Sequence, residues 1–261
     1  SERHLLRFCG ISSICTEAYI SALLYVTVQS LVFAYSRTSW YPWRSCLMAS
    51  TIYAVLIADV MESRGRADLR SLLGKKLVAI SRRHLHRKLI QLPYSVTAGD
   101  EFQTITRDLP SIPAVIEDLR VALRPLSLRI GVGLGGVDGR IRPPVNHLGG
   151  EAFQCARQAI ESVKTGKFFK FVMLTAFVSR CEHFDKTINL IYGLHDTLAL
   201  NITERQWETI REFRETPTLE QTAKRLKLDN STVSRNLKRG YYWQLQETVK
   251  ATESLIKCTF S

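Results

Sequence analysis

No CxxC pair and no closely spaced cysteines occur among Cys9, Cys15, Cys46, Cys155, Cys181 and Cys258. That spacing suggests neither a zinc site nor a disulfide framework, and it suits thiols kept in a reducing compartment. The closely spaced His84 and His86 lie within Arg82-Arg83-His84-Leu85-His86-Arg87-Lys88, where the cations disfavour a metal and a solvated helix face is expected. A polycationic tail is also lacking: Lys+Arg against Asp+Glu runs 4 to 2 in residues 1–47, 21 to 14 in 48–202 and 11 to 8 in 203–261. The run Gly131-Val-Gly133-Leu-Gly135-Gly136 is no dinucleotide fingerprint, because its glycines fall within and at the end of a strand and no helix opens directly after them. Close backbone approach or a tight turn accounts for them more cheaply.

What is present bounds the rest. A chain of 261 residues that is 45% hydrophobic has room for two globular domains. A net charge of +12 and a pI near 9.6 favour an anionic partner such as nucleic acid, nucleotide or acidic lipid. Residues 18–36 carry no charge, and as a helix they would reach about 28 Å, close to the hydrocarbon thickness of a bilayer. Arg3, Arg7, Arg37 and Arg44 flank them, with Trp40, Tyr41 and Trp43 placed like an interfacial belt. A membrane anchor is one reading. A second takes Met48 as the natural start and residues 1–47 as a dispensable extension, and a third makes the segment an ordinary packed helix. No small-residue cleavage site follows, which disfavours a cleaved secretory signal.

From Met48 the pattern alternates. Tyr53–Asp59 is an apolar run of strand length that ends on a carboxylate. A helix is predicted over 66–90, with Leu69, Leu72, Leu73, Leu77 and Ile80 at helical spacing. Strands follow at 94–98 and 101–106, then a helix at 111–123 carrying Ile112, Val115, Ile116, Leu119 and Leu123 on one face. A strand at 127–134, a loop at 135–150, a helix from Gly150 to Val163 and a strand at 168–174 complete the pattern. This order is βαββαβ with a central hairpin, which suits a ferredoxin-like α+β sheet. Asp59 and Asp100 end the first two strand runs, 41 residues apart. Two carboxylates at neighbouring strand ends supply the hard oxygens that Mg²⁺ or Mn²⁺ needs to hold a nucleoside triphosphate. The plainer alternative makes Asp59 a turn cap and Gly99-Asp100 a type I′ hairpin turn.

The C-terminal part reads as helical. A connecting helix is predicted over 177–201, with Ile188, Leu190, Ile191 and Leu194 on its apolar face. Thr203 and Gln206 form a capping box for the next helix, which buries Trp207, Ile210 and Phe213. Thr218–Leu226, the turn Lys227–Asp229 and Asn230–Gly240 then make a helix-turn-helix pattern, with Ala223, Leu228, Val233 and Leu237 inside. Ser231, Thr232, Arg235, Asn236 and Arg239 are left exposed to read base edges and phosphates. The pattern resembles the part of sigma factors that reads promoter DNA, although such units also serve in protein interaction. Tyr241–Ile256 (Trp243, Leu245, Val249, Leu255) continues as an amphipathic helix that packs on the unit or forms a homodimer.

Ala58-Asp59-Val60, Gly99-Asp100-Glu101-Phe102, Arg129-Ile130-Gly131-Val132-Gly133 and Gly150-Glu151-Ala152-Phe153 together resemble class III nucleotide cyclases and GGDEF diguanylate cyclases. The chain is most similar to the SatD family, from Tyr53 to about Leu255, through Asp59–Arg64, Gly99–Gln103, the Gly131/Gly133 strand, Glu151–Arg157 and the helix-turn-helix. The cyclase resemblance implies Asp59 and Asp100 as ligands to Mg²⁺ or Mn²⁺. It implies Ser63, Arg64 and Gly99 around the nucleotide phosphates, and catalytic roles for Glu101, Gln154 and Arg157. Two departures stand out: Glu62-Ser63-Arg64 replaces the usual Phe-Ser/Thr, and Gln154 and Gln158 replace the cyclase Asn and Arg.

The expectation is therefore a cytoplasmic bacterial regulator in four parts. An N-terminal extension (1–47) precedes a cyclase-like α+β domain (48–176), a connecting helix (177–202) and a DNA-binding helix-turn-helix domain (203–261). The competing readings are a metal-dependent nucleotidyl cyclase or transferase using Asp59 and Asp100, and a membrane-tethered regulator if residues 18–36 are an anchor.

Overall fold

Alternation of side chains along three long strands organises the structure. The computed structural model describes residues 51–61, 69–97, 99–166 and 171–260. The expected N-terminal extension, the 18–36 anchor candidate and the phosphate-loop residues Ser63 and Arg64 therefore lie outside the described residues. Among those described, no helix is long and apolar enough to cross a membrane.

β1 (Tyr53–Val60) is the centre of a five-stranded sheet, flanked by β3 (Glu101–Thr106) and β4 (Leu128–Gly135), both antiparallel to it. The short β2 (Ser95–Val96) pairs outside β3, and β5 (Thr175–Val178) runs parallel to β4 at the other edge. The class is mixed α+β, a five-stranded sheet with eight helices among the described residues. In β1 the even residues Ala54, Leu56, Ala58 and Val60 pack with α1 (Leu69–His86) and α2 (Ile112–Ala122). The odd residues Val55 and Ile57 pack with Ala152, Ala156 and Ile160 of α3 (Glu151–Thr165) on the opposite face. Because successive strand residues point to opposite faces, one strand serves two cores.

Helix spacing predicts most of the buried faces. Ile112, Val115, Ile116, Leu119 and Leu123 are all buried, as are Leu73, Leu77 and Ile80 on α1, whereas Leu72 is partly exposed. Burial of each such aliphatic side chain contributes about 1.5–3 kcal/mol. The strand expected at 168–174 is instead β5, and the helix expected from 177 is α4 (Glu182–Leu200). Buried Asp196 of α4 accepts the amides of Leu174 at 2.7 Å and Thr175 at 2.6 Å and so fixes where β5 begins. The buried stripe of α4 is Phe184, Ile188, Tyr192 and Ala199, while Leu190 and Leu194 face outward.

Four further helices follow: α5 (Glu204–Glu215), α6 (Leu219–Leu226), α7 (Asn230–Arg239) and α8 (Tyr242–Phe260). The Thr203/Gln206 capping box is present at α5, and Thr218 and Asp229 cap α6 and α7. Trp207, Ile210, Phe213, Ala223, Val233 and Leu237 form their core, which Leu245 of α8 and Val121 of α2 complete. Further along α8, Ile256 is buried in the sheet-side core with α2 and α4, so this helix joins both cores. Trp243, read from the sequence as part of the apolar side of this helix, is 55% exposed.

Helix α2 is also the polar seam. Arg214 of α5 pairs with Asp118, which additionally meets His84 Nε2 at 3.3 Å and Arg87 Nη1 at 3.3 Å. His84, expected on a solvated face, is instead fully buried, with Nδ1 2.9 Å from the Tyr94 hydroxyl. Its neighbours in sequence are cationic, but its partners come from other elements. Glu117, next to Asp118, is buried 3.8 Å from His195 Nε2 and 3.7 Å from Arg214 Nη1. The Arg124 guanidinium lies 4.4 Å over the Trp207 ring.

Candidate functional site

The register of β1 places the carboxylates. Asp59 stands opposite Glu101 on β3 and Arg129 on β4, so the three side chains share the α3 face of the sheet. On the same face of β1, Ile57 stands opposite Gly131 and Val55 opposite Gly133. A Cβ on Gly133 would stand 2.1 Å from the Ala152 carbonyl oxygen, and one on Gly131 would stand 2.4 Å from the Ile160 nitrogen. The glycines thus let α3 lie almost against β4, the close approach expected from sequence. That contact carries Arg157 and Lys164 of α3 to the carboxylates.

Arg157 Nη1 reaches both Glu101 oxygens, at 2.9 and 2.7 Å, and Thr97 Oγ1 donates to Oε1 at 2.9 Å. Asp59 Oδ2 has Arg129 Nη1 at 3.4 Å and Lys164 Nζ at 3.8 Å. Burial raises the Asp59 carboxyl above its ordinary range; the Lys164 charge opposes the rise and the Asp100 charge adds to it. Asp100 therefore lies within electrostatic reach of Asp59. The hairpin that carries it is closed by Thr97 N–H to the Glu101 carbonyl at 2.9 Å, with Gly99 left-handed at φ 63°. Asp100 keeps a negative φ, so Gly99-Asp100 is not a type I′ turn, which needs positive φ at both central residues. Beside it is a cavity of about 340 Å³, lined by Leu73 of α1 with Val96, Thr97 and Gly99.

Of the candidate catalytic residues, Glu101 and Arg157 come together, whereas Gln154 is exposed and has no side-chain hydrogen bond among the described residues. Among the described residues no three His, Cys, Asp or Glu side chains are grouped to hold a metal ion. Asp59 and Glu101 already have the protein's own cations as partners. At Asp59 and Glu101 a Mg²⁺ or Mn²⁺ ion would have to displace Lys164 and the two guanidinium groups, whereas Asp100, the other expected ligand, makes no ion pair among the described residues.

The second candidate site is the outer face of α7. Asp229 Oδ1 accepts from Thr232 N–H at 2.8 Å and from Ser231 Oγ at 2.5 Å, while Oδ2 accepts from Thr232 Oγ1 at 2.7 Å. The bonds from Ser231 and Thr232 hold the Asp229 carboxyl well below the usual carboxylate range. Arg235 lies along the helix, donating to the Ser231 carbonyl at 3.3 Å and to Thr232 Oγ1 at 3.0 Å. Arg239 is exposed, and Asn236, expected to be exposed, is half-buried and donates to Thr209 Oγ1 of α5 at 3.1 Å. Its place on the outer face is taken by Ser234 and Lys238. From α6 to α7, residues 218–240 hold six Lys and Arg against two carboxylates, and neither Lys238 nor Arg239 makes an ion pair among the described residues.

A family model described as the SatD family matches residues 53–254. The chain belongs to the SatD family. Comparison with curated proteins gives no match. Among solved structures, this SatD chain is similar to the crystal structure of the Regulator of Polyketide Synthase Expression from Bifidobacterium adolescentis. Identity is 15%, coverage is 89% of this chain and 93% of that one, and the TM-score is 0.25, too low to bear on either fold or role. The SatD match takes in both the carboxylate cluster and α7. Lys164 and Thr97 were not among the site residues expected for this SatD chain, and only the register and the α3 approach reveal them. Ser234 and Lys238 were within reach of the sequence, since each directly follows a core residue of α7, Val233 or Leu237.

Proposed function

We propose that this protein is a DNA-binding regulator with a nucleotide-responsive sensor. The sensor is a cyclase-like βαββαβ domain of ferredoxin-like type, and α6 and α7 act as a helix-turn-helix. The observation that carries the DNA-binding reading is the outer face of α7, where Arg235, Lys238 and Arg239 are exposed on a helix that contains no carboxylate. Such a face suits phosphates and base edges in a major groove. Ser231 and Thr232 hold the Asp229 cap, and Asn236 positions α7 on α5, so Arg235, Lys238 and Arg239 carry the electrostatic contact.

For the sensor, the cavity beside Gly99 adjoins the hairpin that bears Asp100 and Glu101, and it supports a nucleotide as ligand. Arg157 and Lys164 are cations that a phosphate group could draw away from Glu101 and Asp59. Turnover is the weaker reading, because Gln154 stands clear of the cluster and the carboxylates are already compensated by side chains.

The test is affinity for a random-sequence duplex, followed across salt concentration. The parent's log affinity should fall steeply with log salt. Arg239→Ala should flatten the slope by about 0.9, the value of one lost phosphate contact. A parent with no salt-dependent affinity for the duplex would defeat the proposal.

A further inference from the structure

From Leu69 to Gly99 the chain has seven Lys and Arg and no Asp or Glu, and α1 makes up more than half of that span. Exposed helices elsewhere in the structure pair their cations locally. Arg205 meets Glu208 on α5, Lys186 meets Glu182 on α4, and Lys250 and Lys257 meet Glu247 and Glu253 on α8. Such pairs, three or four residues apart, are how a merely solvated helix offsets its charge. Among the described α-helices, only α1 and α7 contain no carboxylate.

The outward side of α1 is a stripe. Lys75, Arg82 and His86 are exposed and separated by seven and four residues, which puts them on one line about 16 Å long. Ala79 lies between them and leaves room for close approach. None of the three makes an ion pair or side-chain hydrogen bond among the described residues, and neither does Lys88 just beyond the helix. Arg83 and Arg87, beside the stripe, reach Glu215 at 3.8 Å and Asp118 at 3.3 Å. These contacts tie α1 to the α5 side of the molecule, while Asn236 ties α7 to the same helix.

We propose that the outer face of α1 is a second nucleic-acid contact, one that meets the phosphate backbone of a DNA duplex through Lys75, Arg82 and Lys88. It takes its partner from the DNA-binding reading above but does not depend on α7. Charge complementarity selects a polyanion, and over about 16 Å one strand of a duplex presents about five phosphates. An acidic membrane suits the face less well. A helix lying in a membrane needs a wide apolar side free for the lipid, and here Leu73, Leu77 and Ile80 are already in the core.

The experiment measures anisotropy of a labelled random-sequence duplex with the full chain, at salt from about 50 to 200 mM. Three proteins are compared: the parent, the triple variant Lys75→Ala, Arg82→Ala, Lys88→Ala, and the double variant Arg235→Ala, Arg239→Ala. Unpaired exposed cations can be removed without disturbing the fold, which an unchanged melting temperature would check. The triple variant should flatten the parent's salt slope by about 2.7, the value of three lost phosphate contacts, with affinity near 0.1 M salt about 10-fold weaker or more. An unchanged slope in the triple variant, with a reduced one in the double variant, overturns the inference and leaves the α7 reading standing. The reverse pattern supports α1 and removes α7. No duplex binding by the parent overturns both. Phosphatidylserine vesicles form a separate arm. Binding to them that only the triple variant loses, with duplex affinity unchanged, assigns the face to membranes and overturns the DNA contact.

Discussion

Asp59 owes its environment to three residues that are far from it in sequence. Burial lifts its carboxyl, and Lys164 is the largest influence holding it down. Lys164→Gln should therefore raise the Asp59 titration midpoint further, as read from its side-chain carbon shift in an NMR pH series. An unmoved midpoint would mean that the ammonium does not sit where the structure has it. Gly133 makes a harder prediction. A methyl group there would stand 2.1 Å from the Ala152 carbonyl oxygen, so Gly133→Ala must push α3 off β4. A loss of about 3 kcal/mol in urea unfolding is expected, together with weakening of the Arg157–Glu101 contact. At this scale the sequence announced Asp59, Asp100 and Glu101 through strand ends and a Gly-Asp turn. It could not announce Lys164 or the burial of His84, because both follow from how separate elements meet.

Among the elements, α2 and α4 carry the buried charges that join sheet to helices. Arg120 Nη2 meets Asp196 at 2.8 Å, and the same carboxylate holds two amides at the start of β5. Asp196→Ala strands a buried guanidinium and should cost about 3–5 kcal/mol by chemical denaturation, with β5 amides losing exchange protection first. The buried seam also sets a pH dependence. Burial works to raise Glu117 and Asp118, but the facing His195, Arg214 and His84 outweigh it, and both carboxyls end below their ordinary values. Their contribution to stability is present above the unfolded carboxylate range and is lost as pH falls through the lowered folded values. Burial works to lower His195, but Asp196 and Glu117 outweigh it and the ring ends above its ordinary value. That contribution is complete below the unfolded histidine value, about 6.5, and disappears as pH rises through the folded one. Unfolding midpoints should therefore decline on the alkaline side in the parent and less so in His195→Gln. Equal alkaline slopes would contradict the assignment. Periodicity and capping made α2, α5, α6 and α7 legible, because they are local. The start of β5 was not, because amides held by Asp196 decide it rather than the apolar run before it.

The whole molecule joins a sheet that gathers carboxylates and cations at one end to helices whose free charge is positive. The βαβ alternation and the helix spacing were enough to anticipate a mixed α+β sheet followed by short helices. What they left out is how closely the two parts are packed: Val121 of α2 lies in the helical core and Ile256 of α8 in the sheet-side core. A ligand at the Gly99 cavity would press on α1, whose far end reaches Asp118 and through it Arg214. The central claim is that α7 meets DNA. Hydrogen–deuterium exchange of the full chain, with and without a random-sequence duplex, tests it most directly. Slower exchange across Asn230–Arg239 on adding the duplex is the predicted result. Unchanged exchange in that segment, at duplex concentrations where binding is saturated, would contradict the claim.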